Sequence, residues 1–331
     1  MSQRPSAPRG LTARIERFPV RGSFVIARGA KTHVDVVVVE IAAGLTGRGE
    51  ATPVYYRGES AESVLAEVEG VAQAIADGAG RADLLGLLSA GAARNAVDAA
   101  LWDLAARESG VPVWQTIGLP PPQPMLTAFT ISLGEPGAME AAARAVRSRE
   151  LLKIKLSGEG CIERVAAVRR GAPDARLIVD ANEAWGGQDI ERLAAGLALL
   201  EVELIEQPVP AGQDHLLDRI RSAVPLCADE SIHDRASLDA VVGRYRFINI
   251  KLDKAGGLTE ALALVHAAKM RGLGVMTGCM LGTSLGLAPA FFVAMQGLYA
   301  DLDGPLLIED RAGGMRFEGS DVWPPDRALW G

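Results

Sequence analysis

Leu151-Leu152-Lys153-Ile154-Lys155-Leu156 is a short apolar run that carries two lysines. Alternation along a strand puts both ammonium groups on one side, an expensive choice beside a packed core unless the charges are paired. Short apolar runs recur on both sides of it. Apolar strands are predicted at 125–131, 151–156, 176–180, 204–206, 225–229, 247–251, 274–277 and 299–303, with amphipathic helical stretches between them. Alternating strand and helix is the sequence form of βα units and a parallel sheet. Eight such strands predict an α/β fold of the closed (β/α)8-type barrel, whose active site lies at the strands' C-terminal ends.

Residues 1–120 read differently, as a small α+β unit. A β-branched run at 34–41 is followed by an alanine-rich helix at 92–106, where Ala93, Val97, Leu101 and Leu104 recur at three- and four-residue steps. Gly110 and Pro112 stop that helix, and the proline-rich stretch 119–124 marks the boundary with a barrel at 121–312 and a last segment at 313–331. A chain of 331 residues accommodates both units. Apolar residues make up 49% of it and aromatics 5%, so Ala, Val and Leu must build the core.

The net charge of −7 disfavours nucleic acid or an anionic membrane as partner. Cys161, Cys227 and Cys279 are far apart and form no CxxC pair, which argues against a disulfide framework or a zinc knuckle. The polar, proline-containing stretch 1–10 does not read as a secretion signal, and the longest apolar stretch, 285–298, is interrupted by Pro289 and Gln296. A cytoplasmic protein is expected.

Six predicted strands finish at or beside a charge: Lys155, Asp180, Glu206, Asp229, Lys251 and the pair Asp301 and Asp303, the first five at steps of 25, 26, 23 and 22 residues. Any one could be a helix cap or a surface charge. Five in phase with the βα period point to one mouth. Asp180, Glu206 and Asp229 end adjacent strands and form an oxygen cluster suited to Mg²⁺. Lys155 and Lys251 end the second and sixth strands and face each other across the ring. A carboxylate substrate held between them would meet one amine on each face. One lysine would take the proton from the carbon beside the carboxylate, and the other would return a proton from the opposite side, through an enediolate. Lys153 is expected to weaken the charge on Lys155 and make a neutral amine accessible.

These residues sit in distinctive words: Leu152-Lys153-Ile154-Lys155-Leu156, Val179-Asp180-Ala181-Asn182-Glu183, Glu206-Gln207-Pro208, Cys227-Ala228-Asp229-Glu230-Ser231 and Asn249-Ile250-Lys251-Leu252-Asp253-Lys254-Ala255-Gly256-Gly257. Together with Gly91-Ala92-Ala93-Arg94-Asn95-Ala96 and Gly278-Cys279-Met280-Leu281 they resemble the muconate-lactonizing subgroup of the enolase superfamily, over about 24–305. The resemblance is nearest to its dipeptide epimerases of the L-Ala-D/L-Glu type. It implies one Mg²⁺ on Asp180, Glu206 and Asp229, acid/base roles for Lys155 and Lys251, substrate binding by Lys153, and supporting positions behind the ligands for Asn182 and Glu230. It implies that 1–120 caps the barrel through loops near 26–32 and 53–59, and that 313–331 returns to the cap. Asp301 and Asp303 would bind a substrate ammonium, Arg28 a side-chain carboxylate, and Thr283 would vary with substrate. The substrate implied is a dipeptide from murein recycling; the alternatives are an N-acyl amino acid such as N-acyl-glutamate, or the lyase and cycloisomerase chemistry of o-succinylbenzoate synthase and muconate-lactonizing enzymes. A homo-oligomer would fit the subgroup.

Two further motifs compete. Gly282-Thr283-Ser284-Leu285-Gly286 matches the nucleophile-elbow pattern, yet every histidine precedes it, so a strand-to-helix turn is expected. Asp301-Leu302-Asp303 matches a nucleotide-sugar transferase's metal motif, with no GxGxxG or Walker loop ahead of it. Cys227 and Cys279 are expected to be small core residues.

Overall fold

The computed structural model describes residues 9–26 and 29–331. Strands β1 (Gly10–Ile26), β2 (Gly29–Ala43) and β3 (Leu45–Ala51) form an antiparallel meander. Inside the β-branched run of β2, Val36 to Val39 are apolar in succession, between Asp35 and Glu40, because both faces of the strand are covered there. Val37, Val39 and Ile41 pack into the core of the N-terminal unit, while Val34, Val36 and Val38 join the core that fills the rest of the molecule. The helix Ala92–Ser109 runs three residues beyond its predicted end and stops at Gly110, which takes the left-handed conformation (φ 72°).

The barrel strands follow: β5 (Phe129–Ile131), β6 (Leu151–Lys155), β7 (Arg176–Asp180), β8 (Val202–Glu206), β9 (Leu226–Ala228), β10 (Phe247–Ile250), β11 (Gly274–Gly278) and β12 (Tyr299–Asp301). Each pairs in parallel with the next, and the Ala128 N–H donates to the Ala300 carbonyl at 2.8 Å, which joins the last strand to the start of the first. One expectation needs correction. The strand predicted at 125–131 is two pieces: β4 (Met125–Leu126) pairs with β14 (Asp321–Val322), itself paired with β13 (Phe317–Glu318), in a separate antiparallel sheet. At Thr127 the chain turns away from that sheet, and its backbone N–H bonds Ser320.

The last residues lie on the N-terminal unit. Trp330 Nε1 donates to the Ala99 carbonyl at 3.0 Å, the Gly331 N–H to Asp103 at 2.9 Å, and Arg48 to the Leu329 carbonyl at 2.7 Å. Among the described residues no helix is long and apolar enough to cross a membrane.

Candidate active site and metal centre

Strand register brings the charges together. Lys155 lies opposite Asp180 and Asp180 opposite Glu206 across β6, β7 and β8, while Asp229 and Lys251 each follow the end of their strand by one residue. Carboxylate oxygens of Asp180, Glu206 and Asp229 all lie within 4.8 Å of one another, and all three side chains are buried. Among the described residues this is the one cluster of acidic, histidine or cysteine side chains that could hold a metal ion. Three buried carboxylates with only oxygen donors suit a hard divalent cation such as Mg²⁺.

Four lysines surround the cluster. Lys155 Nζ lies 2.7 Å from Asp180 Oδ2, and Lys251 Nζ lies 2.6 Å from Asp229 Oδ2. Lys153, on the same side of β6 as Lys155, reaches Glu206 Oε2 at 2.6 Å, Asp301 Oδ2 at 2.7 Å and Asp180 Oδ2 at 3.4 Å. Burial opposes its charge, but Asp301, Glu206, Asp180 and Asp229 together hold it well above the ordinary lysine range. At Lys153 the acids around it outweigh both burial and the neighbouring ammonium of Lys155.

The carboxylates respond unequally. Burial works against ionisation at Asp180, and Lys155 and Lys153 overcome it, drawing the group down to about 2. At Asp229 burial is likewise outweighed by Lys251 and Lys254. Glu206 goes the other way, to about 8, because burial and then the like charge of Asp180 exceed what Lys153 returns. A buried acid that the surrounding lysines leave under-neutralised is the electrostatic signature of a cation site.

Backbone strain supports the ligands. Gln207 has φ 36° and Asn182 φ 44°, conformations that cost free energy outside glycine. The Gln207 side chain accepts from the Asp229 N–H at 2.8 Å, so the residue after one ligand fixes the next. Asn182 donates its N–H to Asp180 Oδ1 at 2.9 Å. Asn249 Nδ2 donates to Glu206 Oε1 at 2.7 Å.

A cavity of about 60 Å³ lies over the cluster. Lys155, Asn182, Asp229, Glu230 and Lys251 form its floor, Lys31, Tyr55 and Tyr56 come from the N-terminal unit, and Cys279, Met280 and Leu281 form a third wall. Cys279 is thus a correction: it follows the end of β11 and faces the cavity, whereas Cys227 is buried in the barrel core as expected. Asp301 and Asp303 do not line this cavity. Asp301 is paired with Lys153, and its Oδ1 is buried with no hydrogen-bond partner. Asp303 Oδ2 accepts from the Thr130 N–H at 2.7 Å, and burial followed by the charge of Asp301 raises the group to about 7. Arg28 lies outside the described residues.

Sequence reasoning passed over Lys254, which donates to Asp229 Oδ1 at 2.5 Å and to the Asn249 carbonyl at 3.1 Å from a fully buried position. Its signal was a second lysine one helical turn after Lys251. The cavity residues Lys31, Tyr55 and Tyr56 fall in the loops near 26–32 and 53–59 that the resemblance placed over the mouth, but nothing in the sequence singled them out within those loops. Ser284 donates to Asp310 Oδ2 and begins the helix Ser284–Ala294, so the elbow-like motif is a strand-to-helix turn.

Residues 138–318 match the family described as enolase C-terminal domain-like, and residues 9–118 match the mandelate racemase / muconate lactonizing enzyme N-terminal domain. The chain is 45% identical to the L-Ala-D/L-Glu epimerase of Escherichia coli (strain K12), covering 88% of this chain and 91% of that one. It is 44% identical to the N-acetyl-D-glutamate racemase of a Pseudoalteromonas species, covering 75% and 79%. Its fold superposes with a TM-score of 0.96 on an enolase family member from Agrobacterium tumefaciens with homology to dipeptide epimerases, solved with sodium and L-Ala-L-Glu; identity is 50% over 98% of this chain and all of that one. With both halves matched and a triad of acids framed by opposed lysines, the chain belongs to the mandelate racemase / muconate lactonizing enzyme family of the enolase superfamily.

Proposed function

We propose that the protein is a Mg²⁺-dependent dipeptide epimerase of the L-Ala-D/L-Glu type, an isomerase that inverts the carbon α to the substrate's carboxylate. The observation that carries this reading is the pair of lysine nitrogens, Lys155 and Lys251, on strands four apart in the ring and each against a different acid of the triad. A carbon held above the triad would have one amine on each face. Asp180, Glu206 and Asp229 would hold Mg²⁺, a hard cation for an all-oxygen set. When bound, the ion withdraws charge from the substrate carboxylate and so acidifies the adjacent C–H.

Lys155, as free amine, takes the α-proton on its face, and Lys251, as ammonium, delivers one on the other; the reverse epimerisation exchanges their roles. Lys153, held against Glu206, Asp301 and Asp180, adds positive charge beside the triad that would offset the negative charge proton loss places on the substrate. In this reading the unit 1–120 covers the mouth through Lys31, Tyr55 and Tyr56, Asn182 and Glu230 complete the floor, and Asp301 with Asp303, set behind the present lining, would receive the dipeptide's ammonium where the substrate extends past that lining. The orphaned Oδ1 of Asp301 supports that last role.

A second reading, racemisation of an N-acyl-glutamate, is favoured by the Pseudoalteromonas relative and by the Lys153–Asp301 ion pair, which leaves less negative charge for an ammonium. Proton NMR in D₂O with Mg²⁺ separates the two. Loss of the α-proton signal is expected with L-Ala-L-Glu; Lys155→Ala should slow that loss, and Lys251→Ala the appearance of L-Ala-D-Glu, each by about 10²-fold or more. Exchange confined to N-acetyl-glutamate would replace the first reading with the second, and no exchange with either would reject both.

A further inference from the structure

The third wall of the cavity, Cys279 to Leu281, belongs to a loop that carries none of the proton-transfer lysines and none of the triad. It hangs from β3 of the N-terminal unit. Thr52 donates its hydroxyl to the Leu281 carbonyl at 2.8 Å. Two residues earlier, Glu50 accepts the Thr283 N–H at 2.8 Å and the Thr283 hydroxyl at 2.5 Å. The approach is close: a Cβ at Gly282 would sit 3.0 Å from Thr52 Oγ1, and one at Gly286 3.1 Å from Glu50 Oε1.

Glu50 is 1% exposed and needs a cation. Arg311, in the segment after the last barrel strand, supplies it at 2.7 Å. The same guanidinium donates to Thr283 Oγ1 at 2.7 Å, pairs with Glu16 of β1 at 3.0 Å and lies over the Phe18 ring at 5.2 Å. One arginine thus joins two strands of the N-terminal unit, the cavity loop and the C-terminal segment. Glu50 is buried and Arg311 partly exposed, and apolar packing of similar volume often stabilises as well as such a pair, so what the pair adds is its fixed hydrogen-bond geometry at Thr283.

We propose that Glu50 and Arg311 are positioning residues that set the 279–281 wall against the lysines, and thereby determine which substrate side chain the cavity accepts. The inference rests on reading this cavity as the substrate site. It differs from a fastening role in what it predicts: the wall should move without the lysines or triad, which hang on other strands. Substrate fit should then change while the proton transfer itself persists.

The test uses Mg²⁺-loaded full-length protein, with Glu50→Gln and the more exposed Arg311→Gln as independent variants. Amide exchange across 279–285 reads the wall directly, and α-proton exchange kinetics with L-Ala-L-Glu, L-Ala-L-Gln and L-Ala-L-Leu read selection. Expected are faster amide exchange in that stretch, KM for the best substrate raised about tenfold with kcat within about threefold, and an altered ranking of the three dipeptides. Unchanged amide exchange in both variants overturns the proposal, as does faster exchange with KM and ranking as in wild type, whatever happens to melting temperature. A wild-type protein inactive on every dipeptide would reject the substrate reading instead, and the wall's amide exchange would still report whether the pair positions it.

Discussion

His233 is partly buried, with its Nδ1 shielded from solvent and without a hydrogen-bond partner. Burial, then the charges of Lys254 and Arg57, push its imidazole down from 6.5 to about 4. Between those values the folded protein binds fewer protons than the unfolded chain, so this residue's contribution is present above pH 6.5 and is lost as pH falls towards 4. After allowance for its partial exposure the loss should be about 1 to 2 kcal/mol. Urea unfolding of wild type and His233→Gln at a series of pH values measures it: the difference in stability between the two proteins should vary with pH over that window and level off above it. A difference constant from pH 4 to 7 would sink the assignment. At the same scale, the strand-end charges were legible because Lys155, Asp180, Glu206, Asp229 and Lys251 recur with the βα period, and period is a property of sequence. The partners of Asp301 and Asp303 were not. Lys153 and Thr130 come from other strands, and only the closed ring brings them within bonding distance.

Packing of the helix Ala92–Ser109 against β3 shows what an alanine-rich pattern does and does not disclose. The sequence announces a helix with small side chains, and small side chains permit close approach. It does not announce how close. A Cβ on Gly47 would meet the Ala100 carbonyl oxygen at 2.2 Å, and one on Gly49 the Ala96 oxygen at 2.1 Å. Backbone atoms cannot rotate away as a flexible side chain can, so Gly49→Ala must push the sheet off the helix. Overpacking of this kind costs about 1 to 3 kcal/mol or more. A clear drop in the urea midpoint is expected for Gly49→Ala, while Gly70→Ala, with nothing within 4 Å of its added methyl, should not lower it. Equal effects at both positions would refute the close-packing account. The split of 125–131 into β4 and β5 is an element-scale failure of the same origin: apolar composition runs through both pieces, and the bend at Thr127 follows from the later strand β14 that claims the first piece.

Across the whole molecule, the unit at the start of the chain and the barrel share partners to an extent that makes independent melting unexpected. Val34, Val36, Val38, Ala99 and Trp102 belong to the same continuous core as the barrel's strands and helices. Arg94 donates to the carbonyls of Ala255 and Gly256, and Asp98 accepts from the Thr259 N–H and hydroxyl, so the helix that carries them is fastened to the segment after Lys251. Trp330 is 1% exposed and closes the other side. Removing it with Trp330→Ala should cost about 3 to 5 kcal/mol. Far-ultraviolet and near-ultraviolet circular dichroism should still lose signal in one transition, shifted to lower temperature. Two separated transitions would show that the halves are energetically independent. Fold class was readable from eight strands in series, but this sharing was not, because it joins residues with no common local pattern.

The bond between Asp103 and Gly331 spans 228 positions of sequence. A ribosome delivers about 5 to 20 residues per second, so a nascent chain that has exposed Asp103 waits roughly 10 to 45 seconds for the partner of that bond to be synthesised. During that interval the apolar side of the helix that Trp330 will cover is open to other binders. The stretch 92–109 is therefore a place where a chaperone that captures unfinished chains would find a long-lived target, and slow codons late in the message would lengthen the exposure.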